Sequence, residues 1–239
     1  MVLFIKSYNF NAYKTKIINL AIRHIHRQAE TAGESPLQRH LNKGDSPTKT
    51  DILLWEEFQS GSEKAYADIY KTHVAALYNY GLKLVSDPSL VKDCIQDLFI
   101  EIWDARQNLG AVRSIRSYLY KSIRRKILAE KAKVKPLVPS SDNYQPFEIA
   151  YSPERILHDH QIKEAQLDEL RKALNKLTTS QREIIFLKYY DRLSYEEVAD
   201  IMGISRKAAY KKIGRALHTL RQHTDKVYLL LYFVGLGLL

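Results

Sequence analysis

Apolar residues recur at spacings of three and four from Asp51 onward, and this period predicts helices rather than strands. Ile52, Leu53, Trp55 and Phe58 open the pattern, followed by Ala65, Tyr66, Ile69, Tyr70, Val74, Leu77, Tyr78 and Leu82. Asp87-Pro88 interrupts it and fits a helix start with proline at the first position. The next helix, Ser89–Ala105, has an apolar face of Val91, Cys94, Ile95, Leu98, Phe99 and Ile102, and a helical segment over Val112–Lys135 follows. Periodicity then lapses over residues 134–152, where Pro136, Pro139 and Pro146 sit among turn formers, as a linker requires.

It resumes at Ser152-Pro153, a capped start for a helix carrying Ile156, Ile162, Ala165, Leu167, Leu170, Leu174 and Leu177. Thr178-Thr179-Ser180 breaks that stripe, and Ser180 with Glu183 reads as a capping box opening a helix with Ile184, Ile185, Leu187 and Tyr190. Two shorter helices come next. Ser194 with Glu197 is a second capping box, Gly203 supplies the left-handed residue that ends its helix, and Ser205 caps the following one. Val198, Ile201, Ile204, Ala209 and Ile213 are spaced to close the pair over a small core. Arg206, Lys207, Tyr210, Lys211, Lys212 and Arg215 are left mostly outward. This is a helix-turn-helix pattern. An ordinary helical hairpin would share the caps, but here the acids Glu196, Glu197 and Asp200 stay on the first helix while the second carries none. That segregation makes the second helix, Ser205 and Ala208 included, a candidate for the DNA major groove.

Charge strengthens the point. The 239-residue chain carries a formal net charge of +10, which favours a polyanionic partner, either nucleic acid or an anionic membrane surface. A single cysteine, Cys94, excludes an internal disulfide and a cysteine-rich zinc site and fits a reducing, cytoplasmic setting. No glycine-rich phosphate loop and no internal repeat is present, and no cofactor or metal site is expected.

Charge also changes sign along the first half. Asp93, Asp97, Glu101 and Asp104 line one side of the Ser89–Ala105 helix, with Gln96 and Trp103 beside them. Three readings stand: a catalytic or metal-binding set, a solvated face, and a protein-docking surface anchored by an exposed tryptophan. Catalysis would want histidine, lysine or serine converging nearby, and none accompanies the acids in this segment. The following segment is basic, with Arg113, Arg116, Lys121, Arg124, Arg125, Lys126, Lys131, Lys133 and Lys135 against Glu130. Tyr118 and Tyr120 are interleaved with these cations, as in surfaces that stack unpaired bases while holding phosphates, although Tyr118, Leu119 and Ile123 suit core packing equally.

The two ends are less informative. Residues 1–50 form an N-terminal extension: Val2–Ile5 is too short for a signal peptide, Ala12–His26 suits a basic amphipathic helix, and Ala32–Thr50 has the composition of a disordered linker. Residues 227–239 form an apolar tail shorter than the about 20 residues a membrane-spanning helix needs. Packing on the protein itself, partner binding and weak membrane contact all suit that tail.

In this order, the acidic helix, basic aromatic helix, linker and helix-turn-helix resemble the bacterial RNA polymerase sigma factors of the extracytoplasmic-function (ECF) type, over about residues 60–222. The resemblance rests on Asp93-Cys94-Ile95-Gln96-Asp97-Leu98-Phe99-Ile100-Glu101-Ile102-Trp103, on Ser117-Tyr118-Leu119-Tyr120, on Gln181-Arg182-Glu183 and on Leu193-Ser194-Tyr195-Glu196-Glu197-Val198-Ala199. It implies an all-α fold of two small helical domains joined by a flexible linker. Residues 51–133 would be a region 2-like domain, 134–152 the linker, and 153–226 a region 4-like domain with the helix-turn-helix. It also implies that Gln96, Asp97, Glu101 and Trp103, with Asp93 on the same stripe, dock on core RNA polymerase. Arg116, Tyr118, Lys121, Arg124 and Arg125 would then engage melted promoter DNA. Arg206, Lys207, Ala208, Tyr210, Lys211 and Arg215 would read the more distant promoter element, and an anti-sigma protein is a further expected partner. The implied activity is promoter-directed initiation with no small-molecule substrate and no catalysis by this chain; the rival is a stand-alone helix-turn-helix regulator that binds DNA without polymerase. Two positions depart from the family: Arg125 stands where an asparagine is common, and Ala208 where a threonine is frequent.

Overall fold

The computed structural model describes residues 49–133, 147 and 172–223. Its elements, in order, are α1 (Lys49–Gln59), α2 (Glu63–Leu84), α3 (Pro88–Ala105), a 3-10 turn (Arg106–Asn108), α4 (Ile115–Lys133), α5 (Thr179–Ile185), a π-helical turn (Phe186–Tyr190), α6 (Tyr195–Met202) and α7 (Arg206–His223). No strand occurs among the described residues, so the architecture is all-α, as the period predicts. The N-terminal extension, the apolar tail and most of the linker lie outside the described residues, as does most of the helix expected after Ser152.

The described residues within Met1–Asn79 and Lys92–Arg116 make one compact unit; those within Tyr80–Val91 and Ser117–Leu239 make the other. The first is built on an aromatic cluster. Trp55 and Phe58 of α1, Tyr66 and Tyr70 of α2, and Phe99 and Trp103 of α3 are all buried. Tyr66 meets the Trp103 ring edge-on at 4.9 Å and Tyr70 meets Phe99 at 4.6 Å, the tilted geometry that opposed ring quadrupoles favour. The polar tips are satisfied: the Tyr66 hydroxyl donates to the Phe99 carbonyl at 3.1 Å, and the Trp55 indole N–H to the Gly110 carbonyl at 3.0 Å. Ile52 and Leu53, expected in the core, are exposed because Trp55 and Phe58 alone fill the buried side of the short helix α1.

Asp87 starts α3 as read from the sequence. Its carboxylate accepts from the N–H groups of Ser89 and Leu90 at 2.9 and 3.1 Å, and Pro88 occupies the first helical position.

In the second unit, Tyr80 lies under Tyr120 of α4, with ring centroids 5.0 Å apart, and faces Phe186 at 6.3 Å. Phe147, from within the expected linker, is buried against both Tyr80 and Phe186. Gly81 is a close-approach glycine: a Cβ there would lie 2.6 Å from Val91 Cγ1 and 3.0 Å from Ile127 Cδ1.

The cap of α5 differs from expectation. Thr178 is the N-cap and forms the capping box with Gln181, whereas Glu183, expected to close a box with Ser180, is buried. Both pairs, Thr178 with Gln181 and Ser180 with Glu183, satisfy the motif. The chain leaves its extended geometry at Thr178, two residues earlier than Ser180, and this frees Glu183 to point inward.

Candidate nucleic-acid and protein-docking surfaces

The helix-turn-helix forms as its capping signals require. The Ser194 hydroxyl accepts from the Glu197 N–H at 3.2 Å while the Glu197 carboxylate accepts from the Ser194 N–H at 2.9 Å. Gly203 ends α6 at φ +64°, a left-handed conformation that glycine adopts without penalty. Ser205 then caps α7, its hydroxyl accepting from Ala208 N–H at 3.2 Å. Val198, Ile201, Ala209 and Ile213 are buried and Ile204 is half-buried.

On the outer face of α7, Arg206, Lys207, Tyr210, Lys211 and Arg215 are exposed and Ala208 is half-buried. Lys212 is a correction to the outward set: half-buried, its ammonium donates to the Ser180 hydroxyl at 2.6 Å, because its position turns it toward the first turn of α5. A column of side chains organises the head of the helix. Tyr210 stacks on Tyr195 at 3.8 Å, the Lys188 ammonium sits 4.4 Å from the Tyr195 ring centroid, and the Arg206 guanidinium lies 5.7 Å from that of Tyr210. Glu196 accepts from Arg206 at 2.8 Å. Sequence reasoning passed over Tyr195, Glu196 and Lys188 as supports for these residues. The i, i+4 spacing of Arg206 and Tyr210 was the available signal.

The cations of α4 are less open than their sequence suggests. Arg125 and Lys121 are exposed, while Arg116, Tyr118 and Arg124 are half-buried. Tyr120 is fully buried, which excludes it as a base-stacking ring. Lys121 donates to Asp200 Oδ1 at 2.6 Å, and Ser117 approaches Asp200 Oδ2 at 3.4 Å. Arg124 holds Glu183 in a fork, Nε to Oε1 at 2.7 Å and Nη2 to Oε2 at 3.2 Å. Glu183 also accepts from the Tyr80 hydroxyl at 2.6 Å. Burial, reinforced by the neighbouring Glu183 charge, pushes the Tyr80 phenol well above its ordinary range, so it stays a donor.

On α3, Asp93, Gln96, Asp97, Glu101 and Asp104 are exposed along one side. Trp103 is not the exposed anchor that the sequence suggested. It is 6 % exposed and packs on Tyr66 and Phe58. Its spacing of four from Phe99 puts it on the apolar face, and the Arg106 guanidinium caps its ring at 4.4 Å. Among the described residues no group of three or more His, Cys, Asp or Glu side chains is arranged to hold a metal ion.

An acidic helix, a basic helix and a helix-turn-helix now stand in order on named elements. Residues 69–135 match the family model described as sigma-70 region 2, and residues 167–220 match that described as sigma-70, region 4; together the matches cover just over half of the chain. The chain belongs to the ECF-type sigma factors of RNA polymerase. As an ECF sigma factor it associates with core polymerase and directs transcription initiation at promoters, and the paired regions disfavour a regulator acting without polymerase. The RNA polymerase sigma factor CnrH of Cupriavidus metallidurans is 27% identical over 179 residues, covering 72% of this chain and 92% of that protein. The ECF RNA polymerase sigma factor SigL of Mycobacterium tuberculosis is 27% identical over 158 residues, 64% of this chain and 85% of its own. Among solved structures, CnrH in complex with the cytosolic domain of CnrY shares the fold at a TM-score of 0.50 and 24% identity, covering 73% of this chain and 96% of that one. No helix among the described residues is long and apolar enough to cross a membrane.

Proposed function

We propose a division of labour among the three surfaces of this sigma factor. Asp93, Gln96, Asp97 and Glu101 of α3 form the polymerase-docking face, and Trp103 supports it from within the core. Arg116, Tyr118, Lys121, Arg124 and Arg125 of α4 take the melted promoter strand. Ser205, Arg206, Lys207, Ala208, Tyr210, Lys211 and Arg215 of α7 read the distant element in the major groove, with phosphate contacts setting position and side chains at base edges setting specificity. Lys212 acts through α5 instead of DNA. The domain limits follow the sequence: 51–133 docks and melts, 134–152 links and 153–226 reads. The chain acts in the cytoplasm, contributes binding without covalent chemistry, and answers to an anti-sigma protein.

The carrying observation is the outer face of α7, where Arg206, Lys207, Lys211, Arg215 and Tyr210 are exposed on a helix that contains no acidic residue. In vitro transcription with core polymerase tests the whole. Promoter-specific initiation should depend on this protein and be lost in a Lys211→Ala/Arg215→Ala variant. Initiation unaffected by that variant would remove α7 from promoter reading.

A further inference from the structure

The side chains at the head of α7 are held from outside the helix-turn-helix. Lys188 belongs to the π-helical turn that follows α5. Its ammonium donates to the Leu193 carbonyl at 3.0 Å and sits 4.4 Å from the Tyr195 ring centroid. Tyr195 stacks on Tyr210 at 3.8 Å, and the Arg206 guanidinium lies 5.7 Å from the Tyr210 ring centroid. Exposure rises along this column, from the half-buried Lys188 and Tyr195 to Tyr210 at 44% and the Arg206 side chain at 59%. The protected end is the fixed one, and the exposed end is the one within reach of a groove.

The backbone beneath Lys188 is unusual. The Asp191 N–H donates to the Phe186 carbonyl at 3.0 Å, five residues back, and the Leu193 N–H donates to the Leu187 carbonyl at 3.1 Å. Arg192 between them has φ +53°, and among the described residues no other non-glycine residue has a positive φ. A bulky L-residue keeps that conformation only where its surroundings determine it, and π turns recur at functional sites. Here the reversal returns Leu193 and Tyr195 to Lys188.

We infer that Lys188 and Tyr195 are positioning residues for promoter discrimination, holding Tyr210 in the orientation that α7 presents to base edges without touching DNA themselves. The inference rests on the reading of α7 as the major-groove helix. A ring that meets a base edge or a thymine methyl does so in one orientation, and a side chain ordered beforehand costs less to order on binding. Binding to unmatched DNA comes from charge and makes no such demand. Loss of the column therefore falls on the matched sequence and spares the unmatched one.

The test uses the full chain bound to core polymerase and two duplex fragments, read by filter binding. One is selected by the parent complex from a library randomised across the distant promoter element; the other is the same fragment with that element scrambled. Lys188→Met keeps the aliphatic stem and removes the charge. It should bind the selected fragment about fivefold more weakly, the size of one cation–π contact, and the scrambled fragment as the parent does. The slope of log affinity against log salt should not change. Lys188→Arg keeps a cation for the ring and a donor for Leu193, and should recover the parental ratio of the two affinities. Tyr195→Leu answers in place of Lys188→Met if that variant fails to fold by circular dichroism. Arg206→Ala/Tyr210→Ala should also lower the ratio. If it does while folded Lys188→Met and Tyr195→Leu keep the parental ratio, the positioning role alone is overturned. A loss shared equally by the scrambled fragment, as a phosphate contact or a loosened fold would give, overturns that role too. A parental ratio in Arg206→Ala/Tyr210→Ala overturns the reading of α7 and the positioning role with it.

Discussion

Tyr210 lies nearly flat on Tyr195, with ring centroids 3.8 Å apart and planes within 18° of parallel. One ring belongs to the exposed face of α7 and the other to the first turn of α6, so the stack fixes an α7 side chain against α6. Tyr195→Ala should lower the affinity of the polymerase–sigma complex for its promoter by about 1 kcal/mol, roughly fivefold, and Tyr195→Phe should restore it, since the ring supplies the stack. Filter binding on one promoter fragment measures both.

Salt dependence separates phosphate contacts from the rest of α7. Lys211→Ala and Arg215→Ala should each flatten the slope of log affinity against log salt by about one unit, because each would neutralise about one phosphate in the proposed complex. Lys212→Ala should leave the slope unchanged, since that ammonium is engaged by Ser180. Equal slopes for all three variants would show that exposure on α7 does not decide phosphate contact.

The corrected place of Trp103 separates stability from docking on one helix. Trp103→Ala should cost about 3–5 kcal/mol, as expected for a large aromatic removed from a packed core, and is read by urea unfolding. Asp97→Ala/Glu101→Ala, on the exposed side, should unfold at the same urea concentration as the parent but bind core polymerase more weakly in a pull-down titration.

Gly81→Ala tests the close approach of α2 to its neighbours. The added methyl would lie 2.6 Å from Val91 Cγ1, and overpacking of about 1–3 kcal/mol outweighs the helix-propensity gain of about 1 kcal/mol. The thermal midpoint should fall by several degrees, and Val91→Ala in the same chain should recover part of the loss.

His73 sets an acid limit on stability. Burial, with the Arg116 charge adding to it, lowers its pKa from 6.5 to about 4, so it is neutral in the folded protein at neutral pH. The unfolded chain takes up that proton near pH 6.5. Stability is therefore fully present above this value and declines as pH falls toward 4, by on the order of 2 kcal/mol for this half-buried ring. His73→Gln should reduce the loss of stability between pH 6.5 and 4 in denaturant titrations.

Much of this fold was legible because its signals are local. Asp87-Pro88, Ser194 with Glu197, Gly203 and Ser205 each act within a few residues, and each works as read. The misreadings involve residues whose roles are set at a distance. Glu183 satisfies a local capping rule, yet it is claimed by Tyr80, 103 positions away, and by Arg124, 59 positions away. Trp103 has polar neighbours in sequence but an aromatic cluster in space. Phe147 sits in a proline-rich stretch without periodicity, where nothing local marks it for burial.

The pair of Glu196 with Arg206 has a consequence for discrimination between sequences. Both side chains are more than half exposed, so in water the pair contributes little. In the proposed major-groove complex, the same carboxylate would stand beside a polyanion once Arg206 turned to the DNA. Every sequence meets that repulsion, but only one offering Arg206 a bidentate base edge offsets it. Glu196 would thus weaken binding to wrong sites more than to the right one, and a neutral residue there should give a factor that binds more tightly and chooses less well.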